Sequence, residues 1–508
     1  MIKTYLRISL IGSLLLVCST NVWCNTPWTP VAPAQNVRTV ISLPSKYSSL
    51  NLQSGVHDVF VPKGWTAEVF YAGSTLGKPR FLAWGPDSVL YVANMGKNTI
   101  LALPDIDKDG IADTAVIATS APSNTSSITF YRDTMYLGSE SGISKYWRTS
   151  GIGYLYDASQ RVVDKRQVAS QLGGNHVTRT VVVDTVHNKL YLSIGSKANA
   201  DREAERALIE EFDLDGSNKR VYATGVRNAV GLVLHPRTGQ LWSNNNGSDQ
   251  QGNNVPPEWI DQVREGGFYG HPFAYHVGNW FDFNRNGYGD LLPITSGDSL
   301  LVNAMVPPAA LVEAHCAPMQ MVFANNKMLP GYQSGLFMAM RGSWNRQPVS
   351  GSKIVYLQFD DDQDTIANYV VDFCTGFLPD SNNSASRWAR PVGIALGSDG
   401  SVFMSSDDGK QFILRLKPPQ KTEVKSSSML NPRIRLSPNP TSNYLTVYTD
   451  AECKKEVSVI SLLGEKMLVL STTNQQVTLD TTMLPSGSYI AAITSENSTK
   501  SIIFNVVH

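Results

Sequence analysis

From about residue 55 to 417 the hydrophobic and polar positions repeat one phrase: an apolar strand, a tight turn of Pro, Asp, Gly or Asn, then a second strand rich in Val, Leu and aromatics. It is heard in FLAWGPDSVLYVAN from Phe81, ITFYRDTMYLGSE from Ile128, VVVDTVHNKLYLSIG from Val181, LVLHPRTGQLWSN from Leu232 and IALGSDGSVFMSS from Ile394. Each reads as a β-hairpin. A return every 50 to 60 residues or so is the period of a four-stranded propeller blade, and about 360 residues at that spacing predict roughly six blades. A pair of sandwiches predicts no such repeated phrase. Helical periodicity is scarce, and only Asp201 to Phe212 (DREAERALIEEF) is helix-tolerant, as an insertion between blades.

After Lys417 the phrase stops. Residues 418–435 (PPQKTEVKSSSMLNPRIR) are rich in Pro, Ser and Lys and read as a linker. Alternating strands with turn signals then predict a small β-sandwich over 436–508. The expected fold is all-β, a six-bladed β-propeller followed by a small C-terminal β-sandwich. Residues 1–24 carry Lys3 and Arg7 ahead of an apolar core, Ile8 to Val17, too short to span a bilayer. They read as a secretory signal peptide. Residues 25–54 form an N-terminal extension, and 55–417 the propeller.

At 508 residues the chain exceeds the size at which one core usually stops growing. Lys plus Arg and Asp plus Glu both number 43, so the chain lacks the basic footprint of a nucleic-acid binder. Signal removal leaves Cys316, Cys374 and Cys453, of which Cys316 and Cys374 could pair if the fold brings them together.

Candidate chemistry gathers just before the first strand of several phrases. GVRNAVGLVLHP, Gly225 to Pro236, sets Arg227 and Asn228 at a strand mouth, where a guanidinium fork suits a carboxylate. Such an arginine could equally only tie a loop to backbone carbonyls. GGNHVTRTVVVD sets His176 at the equivalent place, and Arg80 and Arg390 recur there too. In a propeller these positions converge on one end of a shared channel. Two loops read as calcium cradles: Asp105, Asp107, Asp109 and Asp113 around Gly110, and Asp282, Asn284, Asn286 and Asp290 around Gly287. The alternative is an Asp/Asn-rich turn without metal.

Several motifs support a family resemblance. SPNPTSNYLTV, SLLGEKM and LPSGSYIAAI resemble the type A sorting domain of the type IX secretion system of Bacteroidetes, which implies export through that machinery to the cell surface and removal of the module. WGPD, GNH, GVRNAVGL, VREGGFYGHP, HCAPMQMVF, RGSWNR, CTGFLP and RWARPVGIA resemble the soluble sugar dehydrogenases that use pyrroloquinoline quinone (PQQ), the L-sorbosone dehydrogenase-like branch in particular. The resemblance implies a sugar substrate, PQQ, calcium at its quinone oxygens and a separate electron acceptor. It implies His176 as the catalytic base and Arg227, Asn228 and Arg390 as cofactor contacts, with Arg80, His315 and Arg341 near further cofactor-lining positions. Met340-Arg341-Gly342 and Asn253-Asn254 depart from the branch's pattern. Two other readings stay open: a calcium-dependent lactonase-like propeller, and a non-catalytic surface propeller that binds glycan or protein.

Overall fold

A computed structural model describes residues 29–32, 34–324, 332, 334–419, 434–449, 454–461, 465–495 and 498–508. The expected signal peptide, Cys453 and nearly all of the expected linker lie outside the described residues. The chain divides into two compact units, 1–419 and 420–508.

In the first unit six sheets follow one another along the chain, each built on four antiparallel strands. Sheets I to V begin with Pro79–Trp84, Ser127–Tyr131, Val181–Asp184, Leu232–Leu234 and Pro318–Phe323. Sheet VI takes Ala389–Leu396, Val402–Gly409 and Phe412–Lys417 from one end of the unit and Thr66–Tyr71 from the other. The first strands touch in cyclic order, I to VI and back to I, and all six line a central cavity of about 500 Å³.

The hairpin turns explain the repeated phrase. Asp87 Oδ1 accepts the Val89 N–H, Asp184 Oδ1 those of Val186 and His187, and Asp399 Oδ1 that of Ser401. In each, an aspartate side chain stands in for a backbone acceptor and closes the turn. In sheet IV the imidazole of His235 does the same for Arg237 and Thr238.

The DREAERALIEEF stretch corrects the helical expectation. Leu208–Asp213 is the third strand of sheet III, with Leu208, Ile209 and Phe212 in the core. Its two buried glutamates pair with cations, Glu210 with Lys165 and Glu211 with Arg220, which is how carboxylates come to occupy strand interior positions. The one α-helix among the described residues is Ser296–Asn303, begun by a capping box between Thr295 and Asp298. It lies in a long excursion between the last two strands of sheet IV. Cys316 and Cys374 are both free and buried, in different core clusters, so the considered pairing does not form.

Part of the N-terminal extension covers sheet edges. Val31–Ala32 adds in parallel to sheet V, Ile41–Ser42 adds in parallel to sheet VI, and Thr29 exchanges hydrogen bonds with Leu311 on sheet IV. Paired edges are closed to other chains. In the second unit a three-stranded and a four-stranded sheet share one core, built from Leu445, Val447 and Leu479 on one side and Val457, Val459, Ala491, Ile493 and Phe504 on the other.

Candidate active site

Arg80 and Arg390 lie within the first strands of sheets I and VI, and His176 and Arg227 with Asn228 stand just ahead of those of sheets III and IV. His176 precedes Val181–Asp184. Its Nδ1 lies 2.8 Å from the Ser196 carbonyl oxygen and 3.0 Å from Ser196 Oγ. A carbonyl can only accept, and Ser196 Oγ already donates to the Ala198 carbonyl, so Nδ1 carries the proton. Nε2 therefore presents a lone pair. Burial first, and then the charge of Arg227, lower the pKa of this imidazole to about 3. It is neutral at physiological pH.

The turn that carries His176 is pinned by two buried arginines. Arg179 donates to the His176 carbonyl at 2.8 Å and to Gln171, and Arg206 donates to the carbonyls of His176, Gly173 and Gly195 at 2.9, 2.7 and 2.7 Å. Gly195 faces the site, where a Cβ would come within 2.6 Å of Asn228 Oδ1 and 2.7 Å of His176 Cβ. The Asn228 amide and the His176 imidazole thus flank the same backbone.

Arg227 is buried, and protein takes up all five of its N–H donors. Nε donates to Asn199 O, Nη1 to the Asn246 and Gly247 carbonyls, and Nη2 to Asn199 Oδ1 and Asp249 Oδ2. Of its two readings, the loop tie is the one this geometry draws. No open fork is left for a ligand. Asp249 in turn accepts from Asn345 at 2.6 Å and faces His315 Nδ1 at 4.0 Å, while His315 Nε2 contacts the Gly252 carbonyl at 2.9 Å. Beneath them Glu258 accepts the Gly247 N–H at 2.5 Å, and its burial pushes its pKa up to about 8.

Opposite stands a second cluster. Arg80 Nη1 donates to Asp407 at 2.7 Å, Arg341 Nε bonds both oxygens of Asp407 at 2.9 and 3.1 Å, and Arg390 reaches Asp408 only at 3.5 Å. Arg387 joins them, with Nη2 on the Ser343 carbonyl at 2.8 Å. Four guanidiniums share two carboxylates. Burial, then repulsion from Arg341 and Arg387, bring the pKa of Arg390 down to about 10, and the buried Nε groups of Arg80 and Arg387 have no partner. Such a site demands further negative charge.

One loop joins the two clusters. Along 341–346, Arg341 holds Asp407, Ser343 receives Arg387, Asn345 holds Asp249, and Arg346 Nε bonds the Asn253 carbonyl at 2.8 Å. Trp344, at its centre, is 74% exposed.

With this geometry in hand, residues 59–417 match the model of the TrAA12-like family, and residues 435–505 match the secretion system C-terminal sorting domain. The chain belongs to the TrAA12-like family. It is 27% identical over 305 residues to a pyrroloquinoline quinone-dependent pyranose dehydrogenase of Coprinopsis cinerea, covering 47% of this chain and 39% of that one. To a pyrroloquinoline quinone-dependent sugar dehydrogenase of Hypocrea jecorina it is 24% identical, covering 72% and 91%. An uncharacterised protein of Borreliella burgdorferi is 31% identical over 46% of this chain and 59% of its own length. The chain thus spans less than two thirds of the length of the Coprinopsis and Borreliella relatives. Among solved structures, the holo form of the Coprinopsis cinerea pyranose dehydrogenase PQQ domain superposes with a TM-score of 0.59 at 22% identity, over 74% of this chain and all of that one. This likeness is one of fold. Both resemblances drawn from the sequence motifs are borne out.

In this TrAA12-like unit the first calcium candidate holds together. Asp105, Asp107 and Asp109 bring ligand oxygens within 4.8 Å of one another, and Asp105 Oδ1 is buried without a partner. Asp113 instead accepts the Ile106 N–H at 2.6 Å, closing the loop. In the second loop the carboxylate of Asp282 is instead engaged by Asn284 and by Arg285. Sequence reasoning missed Asp249, Asn345, Arg387, Asp407 and Asp408. It also missed His271, which is buried beside Arg227 with neither ring nitrogen bonded. The signals lay in the motifs already singled out: RWAR holds Arg387, RGSWNR holds Asn345, and FYGHP holds His271.

Proposed function

We propose that the TrAA12-like unit is a six-bladed β-propeller that oxidises a sugar or sugar aldehyde with pyrroloquinoline quinone, and that the C-terminal unit is a β-sandwich that directs export to the surface of a Bacteroidetes-like cell. The observation that carries this reading is the cluster of Arg80, Arg341, Arg387 and Arg390. Four cations around Asp407 and Asp408 leave a surplus that a tricarboxylate cofactor would neutralise through charge-assisted hydrogen bonds. Arg390 is the foremost candidate, because its single ion pair is long.

The bound quinone would supply the hydride acceptor, with calcium as the Lewis acid at its oxygens. The chain's own residues would do the rest. His176 Nε2 accepts the substrate hydroxyl proton, and Ser196 O keeps Nδ1 protonated so that the lone pair stays on Nε2. Asn228 borders the same space, while Arg227, Asp249 and Asn345 hold the loops around it. The Asp105–Asp107–Asp109 loop would carry a separate structural calcium. A lactonase of this shape would need acidic metal ligands in the channel, and no charged residue lines the central cavity. A separate electron acceptor completes the cycle.

Titration of the purified protein with pyrroloquinoline quinone and calcium tests the reading. Saturable absorbance changes at one quinone per chain, followed by bleaching on adding an aldose, are expected. A protein that binds no quinone overturns it. For export, mature protein recovered from the cell surface should lack the region after roughly residue 430, the residue number at which the sorting match (435–505) is about to begin. An intact mass that runs to His508 would count against that half of the proposal.

A further inference from the structure

The central cavity differs in kind from the arginine-rich mouth above it. It begins one residue beyond Arg80, at Phe81, and runs along all six first strands to Trp84, Leu234 and Leu396. Its volume of about 500 Å³ lies in the range of small-molecule pockets. No charged residue lines it. Three of its four polar side chains are already bonded to the ring's own backbone: Ser127 to Arg179 O and Val181 N, Thr180 to Val230 O, and Gln320 to Leu82 and Ile394. Gln320 lies across the mouth side of the channel as a strap between the first strands of sheets I and VI.

Toward the far end the wall is apolar yet only half-buried, at Ala83, Trp84, Phe130, Val182, Val233 and Val322. A concave apolar wall left open to water is a ligand surface more often than a core. The six first strands are also the edges of their sheets, so the main-chain groups that Ser126, Ser127 and Gln320 leave unpaired offer hydrogen bonds without charge. An ionised ligand would lose its hydration there without a counter-charge. A flat neutral ring with carbonyl oxygens would find aromatic and aliphatic contact around its rim and N–H donors for its oxygens.

We infer that this chamber is a second binding site, distinct from the mouth, for a neutral quinone of one or two rings. Only its role rests on the dehydrogenase reading: oxidising a carbinol to a carbonyl releases two electrons and two protons, and reducing a quinone to a hydroquinone consumes both. Its binding does not depend on that reading.

The probe is 1,4-naphthoquinone, titrated into the full chain without added cofactor while tryptophan fluorescence is followed. Saturable quenching is expected, and its loss in Trp84→Phe would assign it to the chamber among the ten tryptophans. Ala83→Phe, which fills the bore, and Val322→Lys, which charges it, should each weaken binding by about tenfold or more. The 2-sulfonate of the same quinone should bind the chamber at least about tenfold more weakly. Quenching that never saturates, wild-type affinity in both chamber variants, or equal affinity for the sulfonate overturns the inference. Naphthoquinone binding by a protein that refuses pyrroloquinoline quinone would support the chamber and sink the dehydrogenase reading. The opposite pattern would sink the chamber alone.

Discussion

Arg227 and Arg390 stand at equivalent places, each just inside or ahead of the first strand of a sheet, yet they do different work. Arg227 meets three backbone carbonyls, an amide oxygen and a carboxylate, and has no donor left. Arg390 has one carboxylate at 3.5 Å and two like charges near enough to lower its pKa to about 10. Residue type and topological position do not separate an arginine that builds a site from one that serves it. The count of satisfied donors does.

That contrast can be broken by substitution. Arg227→Met removes one partner of a buried ion pair and orphans several carbonyls, so stability should fall by about 3–5 kcal/mol, read as a lower denaturation midpoint before any cofactor is added. Arg390→Met should stay within about 1 kcal/mol of wild type in the same measurement. Equal losses would erase the distinction.

A smaller effect belongs to the acidic loop. Asp107→Ala with Asp109→Ala should abolish the calcium-dependent rise in melting temperature and leave the chelated protein unchanged. With calcium at a hundredfold excess over its Kd, the rise in wild type corresponds to about 2.7 kcal/mol. Identical shifts with and without chelator would make the loop an ordinary Asp turn. Close in size is Arg390→Lys, which keeps the charge but loses the planar fork, and should weaken quinone binding by about 2 kcal/mol. An unchanged affinity in an absorbance titration would return Arg390 to a structural role.

The subtlest prediction is a pH dependence. Folded His176 resists protonation down to about pH 3, whereas in the unfolded chain it charges near its ordinary value of 6.5. Between those values the unfolded state binds more protons, so this contribution to stability is intact above 6.5 and is lost as pH falls toward 3. Glu258 and Asp261, both pushed up to about 8 by burial, act oppositely, losing their contribution as pH rises through 8. His176→Asn should therefore flatten the acid side of the stability curve alone, as measured by urea midpoints across pH. In the loaded enzyme the acid limb of the rate should sit well below 6.5; a limb at 6.5 would mean an exposed imidazole.

The ring was legible because hairpin turns close on side chains of their own, Asp87, Asp184, His235 and Asp399, a local signal. The hairpin of sheet V gave no such phrase, since Pro318–Phe323 and Gly335–Met340 are separated by a longer stretch. DREAERALIEEF misled because Glu210 and Glu211 are buried against partners outside the stretch, Lys165 and Arg220, so their polarity hid a strand. The mouth was half legible. Strand-mouth position marked His176, Arg80 and Arg390, but the acceptors that consume Arg227 come from residues 199, 246, 247 and 249, and no spacing rule reaches across those loops. Asp407 and Asp408 sat in plain view at the end of a hairpin phrase, and only the fold brings them under the arginines.

The central claim is that His176 removes the substrate proton beside a cofactor held by the opposite arginines. Single-turnover reduction of bound quinone by an aldose, compared between wild type and His176→Asn after both have been titrated to saturation, tests it most directly. The account predicts near-equal quinone affinity and a reduction rate lower by roughly 10²- to 10⁴-fold in the variant. A His176→Asn protein that binds the quinone and reduces it at the wild-type rate would contradict it.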